Sequence, residues 1–349
     1  MLRNLLGRRT APSAEYRLPP LAVLEQRVAR SGLVSPCPPS SVVEKWRRAR
    51  ETPAASRFLL AGCEGGDPGA QVDRLLLEED PHAVLAGIKA ASLAAEAPRA
   101  VLCLRAEHVR AQRTIAAAIE EATHAGWLEG LEVAVVASIG SWACGPEVGL
   151  TRAGEGFAGR PTLIESVEVL AALPFVARTG RGGDSRAFAI SGAVQRPGVV
   201  EAPLGISLAE LLDRSSGGPP PGSRWRMALI GGTGGRVLPA AMFDTRLSED
   251  TLPGMGHGSI LVLDESVTAR QLFDHLAVWA VNGSCGSCTP CRVGTRTLST
   301  RRDRPALERA LDVLEMGSLC SFGQRVSRPI RDLLQHFGAE LWPEPGESP

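Results

Sequence analysis

Four cysteines constrain this chain more than any other feature of its sequence. Cys285, Cys288 and Cys291 follow one another with two residues between neighbours, and Cys320 comes after a further 28 residues. Two-residue spacings allow neighbouring sulfur atoms to point at one centre, which a fourth thiolate can then complete from a distance. The fold of the C-terminal region must therefore bring Cys320 back to the three-cysteine run.

Four thiolates suit either a 4Fe-4S cluster or a zinc ion. Zinc sites usually combine two close pairs of ligands, whereas a three-cysteine run with one remote cysteine is a common arrangement for a cluster. The spacing favours the cluster, with zinc or unliganded thiols as the alternatives. Arginines are frequent in the same region. Their positive charge stabilises the reduced, more negative state of a cluster and attracts an acidic partner protein. A solvated helical surface is the plainer interpretation of these arginines.

The region around the cysteines is predicted to be helical. Residues 266–349 contain four helical segments: TARQLFDHLAVWAVNG, RVGTRTLSTRRDR, PALERALDVLEMGS and SRPIRDLLQHFGAEL. Leu307, Leu311 and Leu314 fall on one face of the third segment, which should pack that helix against the others and position Cys320. This pattern predicts a C-terminal helical-bundle domain that carries all four cysteines.

The remainder of the chain predicts two further domains, which 349 residues with 44% hydrophobic content can support. After an N-terminal extension and helix (1–39), strands and helices alternate over residues 40–183, the pattern of a three-layer, Rossmann-like α/β domain. Residues 184–265 read as strands with one short helix, an α+β pattern. The predicted fold class is multidomain α/β.

Charge and composition exclude some classes of function. Basic and acidic residues balance at 38 each, so nucleic acid is not an expected partner. The N-terminus lacks the apolar core of a signal peptide, and no apolar run is long enough to span a membrane. We therefore expect a cytoplasmic protein without membrane insertion. In that reducing compartment the other cysteines are expected to be mostly buried thiols: Cys37, Cys63, Cys103 and Cys144.

Several motifs together resemble one family. SCGSCTPCRVGT with the later GSLC is similar to the C-terminal domain of the NADH-binding flavoprotein (51 kDa-type) subunit of complex I, a subunit type that recurs in NAD-dependent hydrogenases and formate dehydrogenases. EGGDPGAQVDRLLLEEDPHAVLAG, WACGPEVGL and RPTLIESVEVLAALP resemble further stretches of that subunit, and residues 184–265 resemble its SLBB β-grasp domain. The resemblance implies a 4Fe-4S cluster on Cys285, Cys288, Cys291 and Cys320.

In that family the α/β domain binds FMN and NADH, and here the sequence departs from the family pattern. VSPCPPS stands where the family has a glycine-rich loop, and Pro36, Pro38 and Pro39 have no N–H to offer a phosphate. Glu165 and Ser166 replace two asparagines that hold flavin in the family. A flavin retained despite these changes would be expected to bind through the following residues: Glu64, Asp67, Trp142 and Glu147.

These observations predict an electron-transfer subunit that relays electrons through one 4Fe-4S cluster, with FMN and NADH binding lost and no NADH oxidation of its own. Expected partners are other redox subunits: iron-sulfur subunits, a molybdenum or tungsten formate dehydrogenase-like subunit, a hydrogenase, or a complex I-like peripheral arm. Two alternatives to this prediction are open. One is an FMN-containing NADH dehydrogenase (diaphorase) subunit, and the other is a structural subunit with a non-redox cluster.

Overall fold

A computed structural model of the protein describes residues 17–36, 39–54, 56–62, 67, 69–138, 160–300 and 303–342. The chain divides into two compact units, one made of residues 1–66, 70–188 and 200–204, the other of residues 67–69, 189–199 and 205–349. No helix in the described ranges is both long and apolar enough to cross a bilayer.

The first unit begins with a helix and a small strand pair. Helix α1 (Leu21–Ser31) is followed by strands β1 (Val34–Pro36) and β2 (Pro39–Ser41), which pair antiparallel before helix α2 (Val42–Glu51). The strand pair is formed by the described residues of the proline-containing stretch VSPCPPS and by Ser41. Its physical reason is that a residue preceding proline is driven into the extended conformation, which favours strand geometry at Ser35.

The core of the first unit is a parallel sheet covered by helices. Its strands, in the spatial order β5-β4-β3-β6, are β3 (Phe58–Gly62), β4 (Arg99–Arg105), β5 (Glu132–Ser138) and β6 (Thr162–Ser166). The helices are α3 (Val72–Glu79), α4 (Pro81–Ala95), α5 (Val109–His124) and α6 (Val167–Thr179). A side chain at Gly87 would overlap the Leu170 backbone, so this glycine permits the close packing of α4 and α6. The predicted α/β fold is confirmed, although the sequence missed α3.

A second, mixed sheet follows in the chain. Its spatial order is β10-β9-β11-β7-β8, formed by β7 (Ser185–Gly192), β8 (Gly198–Pro203), β9 (Trp225–Ile230), β10 (Arg236–Pro239) and β11 (Ser259–Asp264). Helix α7 (Leu208–Ser215) lies between β8 and β9 in sequence. Strands β9 and β10 pair antiparallel on either side of GGTGG and so form a hairpin. One short helix among these strands matches the predicted α+β region.

The C-terminal part of the second unit is helical, as predicted. It consists of α8 (Ala269–Gly283), α9 (Thr289–Thr300), α10 (Arg304–Gly317), α11 (Ser321–Arg325) and α12 (Ser327–Leu341). Leu307, Leu311 and Leu314 are all fully buried, so the apolar face predicted for the third helical segment forms part of the core. The helix bearing them, α10, connects the three-cysteine run to Cys320. The predicted domain limits at residues 39, 183 and 265 stay predictions.

Candidate functional site

The three-cysteine run lies where helix α8 gives way to α9. Cys285 and Cys288 precede α9, and Cys291 lies in its first turn. Gly286, between the first two cysteines, has a φ of +74°, a left-handed conformation that favours glycine because it has no Cβ. The chain can therefore turn between Cys285 and Cys288. Cys320 is the residue immediately before α11.

Two glycines let the segment around Cys320 approach the start of α9. A Cβ placed on Gly323 would overlap the Ser318 side chain and lie 3.2 Å from the Cβ of Cys291. A Cβ on Gly317 would lie 3.0 Å from the Cγ of Pro290, next to Cys291 in sequence. Both approaches are closer than an ordinary side chain tolerates, so the absence of side chains at these positions brings the remote segment beside the run.

The thiols occupy different environments. Burial, together with the nearby thiols of Cys288, Cys320 and Cys285, raises the pKa of the Cys291 thiol to about 11, although the Ser284 hydroxyl, 3.4 Å from its sulfur, opposes this rise. The pKa of Cys285 is lowered by its hydrogen bond with the Ser287 hydroxyl (Sγ–Oγ 3.3 Å), which can reorient to donate to the thiolate. Cys285 is exposed, and Cys288 and Cys320 are half-buried.

The donor set fits a cluster held by four thiolates. Each of the other three thiols raises the pKa of Cys291, and the close approach at Gly323 places the segment that follows Cys320 beside Cys291. Within the described ranges, however, no group of three or more Cys, His, Asp or Glu side chains is arranged to hold a metal ion. A single zinc ion would need sulfur atoms within about 4 Å of one another. A cluster of four irons is wider and accepts thiolates that stand further apart.

Several arginines of the helical C-terminal region are already paired. Arg331 forms ion pairs with Asp312 (2.6 Å) and Glu315 (2.8 Å), and Arg304 pairs with Glu308 (2.9 Å). Arg292 donates a hydrogen bond to the carbonyl oxygen of Gly286 (3.0 Å) and so braces the turn between the first two cysteines. The positive charge predicted around the cluster is therefore partly neutralised within the protein.

Among the flavin candidates, Asp67 is the one that the structure describes, while Glu64, Trp142 and Glu147 lie outside the described residues. Asp67 is 5% exposed, and its carboxylate accepts hydrogen bonds from the Thr233 amide (2.5 Å), the Thr233 hydroxyl (2.8 Å) and the Gly69 amide (2.8 Å). His257 Nε2 lies 3.6 Å from the same carboxylate. The side chain is thus engaged by the glycine-rich GGTGG turn and by His257.

Burial disfavours ionisation of Asp67, but His257 and the hydrogen bonds from Thr233 and Gly69 outweigh it and lower the pKa to about 2. Because the folded-state pKa lies below the ordinary value of 3.8, the ionised carboxylate stabilises the fold above about pH 4, and this stability is lost as the pH falls through 2.

We expect Asp67→Asn to lower the free energy of unfolding at pH 7 by about 2 kcal/mol. Urea unfolding of both chains at pH 7, 5 and 3 measures this difference.

The difference between wild type and Asp67→Asn should stay constant from pH 7 to 5 and shrink at pH 3. Comparing the two chains at each pH cancels any acid damage to a bound cluster. Asp244→Asn, at an exposed aspartate of the same unit, is the control and should change stability by less than about 0.5 kcal/mol. A pH-independent loss in Asp67→Asn would contradict an ionised, stabilising Asp67.

A second polar cluster, which the sequence did not predict, lies at the end of β6 in the first unit. Lys45 on α2 donates a hydrogen bond to Ser35 Oγ (3.0 Å), lies 3.4 Å from Glu165 Oε2, and also donates to the Ile164 carbonyl oxygen. The Ser35 hydroxyl in turn donates to Glu165 Oε2 (3.0 Å). The one available sequence signal was that Lys45 is one of only two lysines in the chain.

Comparison with known proteins places this architecture. Residues 40–171 match a family model for the Nuo51 FMN-binding domain, residues 187–239 match the SLBB domain, and residues 271–342 match the NADH-ubiquinone oxidoreductase-F iron-sulfur binding region. In these three regions the chain is similar to the 51 kDa-type subunit. The iron-sulfur region contains all four cysteines of the candidate site, which supports a 4Fe-4S cluster over zinc.

Proteins similar to this chain include subunits of an NADH-ubiquinone oxidoreductase and of a hydrogenase. It is 29% identical to the mitochondrial NADH-ubiquinone oxidoreductase 51 kDa subunit of Aspergillus niger, over a match that covers 82% of this chain and 68% of the relative. It is 27% identical to the NADP-reducing hydrogenase subunit HndC of Solidesulfovibrio fructosivorans, over a match that covers 85% of this chain and 70% of that one.

A solved structure gives the same result for the fold. A chain from the NAD+-reducing [NiFe]-hydrogenase in its H2-reduced state superposes with a TM-score of 0.86 at 28% identity. The superposition covers 95% of this chain and 65% of that chain, so the protein is similar to about two thirds of the hydrogenase subunit. The multidomain fold predicted from the sequence is thereby confirmed.

Proposed function

We propose that the protein is an iron-sulfur electron-transfer subunit of a multisubunit redox complex, with one 4Fe-4S cluster bound by Cys285, Cys288, Cys291 and Cys320. The observation that carries this proposal is that the close approaches at Gly317 and Gly323 bring the segment around Cys320 beside the three-cysteine run, inside a region that matches an iron-sulfur family model. When bound, such a cluster takes up and releases single electrons. The protein positions it through the Gly286 turn and through the close approach at Gly317 and Gly323.

We further propose that FMN and NADH binding has been lost. The described residues at the end of β6 do not fit an anionic flavin, because the Lys45 ammonium is already paired with the Glu165 carboxylate, which would repel a phosphate. The prolines of β1 and β2 have no N–H to donate to a phosphate. Asp67 is engaged by Thr233 and Gly69 and is 5% exposed, which leaves little of its carboxylate for a ligand.

The partners proposed for this subunit are other redox subunits of the complex I, hydrogenase or formate dehydrogenase type. The named relatives support this class, since one is a subunit of an NADH-ubiquinone oxidoreductase and another a subunit of an NADP-reducing hydrogenase. Met316 and Leu319, which are 82% and 66% exposed, come just before Cys320 in the chain. Exposed apolar side chains next to a redox centre suit a surface that another subunit covers.

A functional FMN-containing diaphorase subunit is the second candidate. It is favoured by the match of residues 40–171 to the FMN-binding domain model. In that case the flavin would depend on residues outside the described ranges, including Glu64, Trp142 and Glu147. The two candidates differ in a directly measurable property, the flavin content of the chain.

The test is to measure acid-released flavin and iron per chain in the native complex, purified without oxygen. We expect about four irons and no flavin attributable to this subunit, since the cluster ligands are present and the flavin site is altered. NADH should reduce the isolated subunit no faster than a buffer control. One FMN per chain would contradict the loss of flavin and establish the diaphorase candidate, whereas absence of iron would contradict the relay.

A further inference from the structure

Lys45 and Glu165 form a charge pair that is almost completely removed from water. The Lys45 side chain is 12% exposed and the Glu165 side chain is 0% exposed, with Nζ and Oε2 3.4 Å apart. Ser35, itself 3% exposed, bonds to both, accepting from Lys45 and donating to Glu165. Even when they are paired, two buried charges often stabilise a protein no more than apolar side chains of the same size would. The arrangement therefore calls for an explanation beyond packing.

The location of the pair in the sheet supplies that explanation. From β3 the chain adds β4 next to it and β5 beyond β4. It then returns and places β6 next to β3 on the opposite edge. The order of the parallel strands therefore reverses between β3 and β6. In open parallel sheets, the crevice outside the carboxyl ends of the strands at such a reversal is the usual ligand site.

Glu165 lies on this reversal. It is the penultimate residue of β6, where it is paired with Ala61, and Ser166 at the end of the strand is paired with Gly62 at the end of β3. Lys45 reaches the same position from α2, and Ser35 reaches it from β1. The position at which this type of sheet receives a ligand thus holds an ammonium, a carboxylate and a hydroxyl that bind one another.

We propose that Lys45 is the centre of an anion site whose resident anion is the carboxylate of Glu165, so that Glu165 is the residue that excludes phosphate-bearing ligands from the strand reversal. The ammonium group and the Ser35 hydroxyl are donors suited to a phosphate monoester or inorganic phosphate. In this protein both groups instead contact the Glu165 carboxylate. This inference rests on the proposed loss of flavin binding and assigns the exclusion of phosphate at the strand reversal to one residue, Glu165.

The test uses the full chain with its cluster loaded, as wild type and as Glu165→Gln, a substitution that keeps the shape of the side chain and removes its charge. The probe is inorganic phosphate against sodium chloride at equal ionic strength, read as the midpoint of thermal unfolding. We expect phosphate to raise the midpoint of Glu165→Gln by about 2 °C more than that of the wild type at tenfold excess over its dissociation constant. The wild-type response corrects for the general stabilisation by phosphate.

Two further arms identify what is recognised. FMN should stabilise Glu165→Gln as phosphate does, whereas riboflavin, which has the same ring without the phosphate, should not. The double variant Lys45→Met/Glu165→Gln is the matched control, and it should lose the response to phosphate because the ammonium is gone. A response that survives in the double variant would overturn the assignment to Lys45.

A folded Glu165→Gln that responds to phosphate no more than the wild type overturns the proposal, since the pair then serves only to hold β1 and α2 against β6. If Glu165→Gln does not fold in chloride, it is refolded in phosphate. Recovery of the native transition supports the anion site, and failure in both salts overturns it. FMN bound to the wild type would instead contradict the proposed function, so the two failures are distinguishable.

Discussion

Cys320→Ser is expected to destroy the 4Fe-4S cluster as a four-iron species. Cys320 is the one proposed ligand outside the three-cysteine run, so its loss leaves one iron without a protein thiolate. We expect the iron content to fall from about four to about three or fewer per chain, and the electron paramagnetic resonance signal of the reduced 4Fe-4S cluster to disappear. Iron and acid-labile sulfide analysis with spectra of the dithionite-reduced protein measure both effects.

Cys103→Ala is the matched control for this experiment. Cys103 lies on β4 in the first unit, is 4% exposed, and is not among the proposed ligands. Its replacement should leave iron content and the reduced-state signal unchanged, because only thiol packing is altered. Full iron content with an unchanged signal in Cys320→Ser would show that another residue provides the fourth ligand.

Breaking the Lys45–Glu165 pair from either side is expected to have the largest effect on stability. Lys45→Met leaves the buried Glu165 carboxylate without its ammonium, and Glu165→Gln leaves the buried ammonium without its carboxylate. Each single variant should lose about 3 kcal/mol or more in the free energy of unfolding, whereas the double variant should lose much less because no unpaired charge remains. Urea unfolding of all four chains in chloride gives the coupling energy directly.

Arg99 and Glu132 provide the comparison pair within the same sheet. They lie on the neighbouring strands β4 and β5 with Nε and Oε2 3.1 Å apart, but their side chains are 54% and 71% exposed. Solvent screening should reduce their coupling to about 0–1 kcal/mol. An equally small coupling between Lys45 and Glu165 would mean that water reaches the pair, and the anion-site proposal would lose its physical basis.

Local patterns allowed the C-terminal region to be predicted from the sequence. The spacing of Cys285, Cys288 and Cys291 is set within seven residues, and the leucine repeat of α10 reports one buried face. Both patterns are formed by residues that are close in the chain, so they can be recognised without knowledge of the fold. The alternation of strands and helices predicted the α/β sheet for the same reason, although α3, directly after a glycine-rich stretch, was missed.

The long-range partners of the charged residues were decided by the tertiary structure. Asp67 was named from the sequence as a contact of flavin if flavin is retained, and the fold shows its carboxylate bound by Thr233, a residue 166 positions away. Glu165 was noted in the sequence only as a replacement for an asparagine, whereas the fold pairs it with Lys45 and Ser35. Ser35 is 130 positions away from Glu165, and Lys45 is 119 positions away from the adjacent Ile164, whose carbonyl oxygen it also binds. A carboxylate in a sequence has no visible partner, because its pKa, its burial and its availability to a ligand depend on which distant groups the packed chain brings within hydrogen-bonding distance.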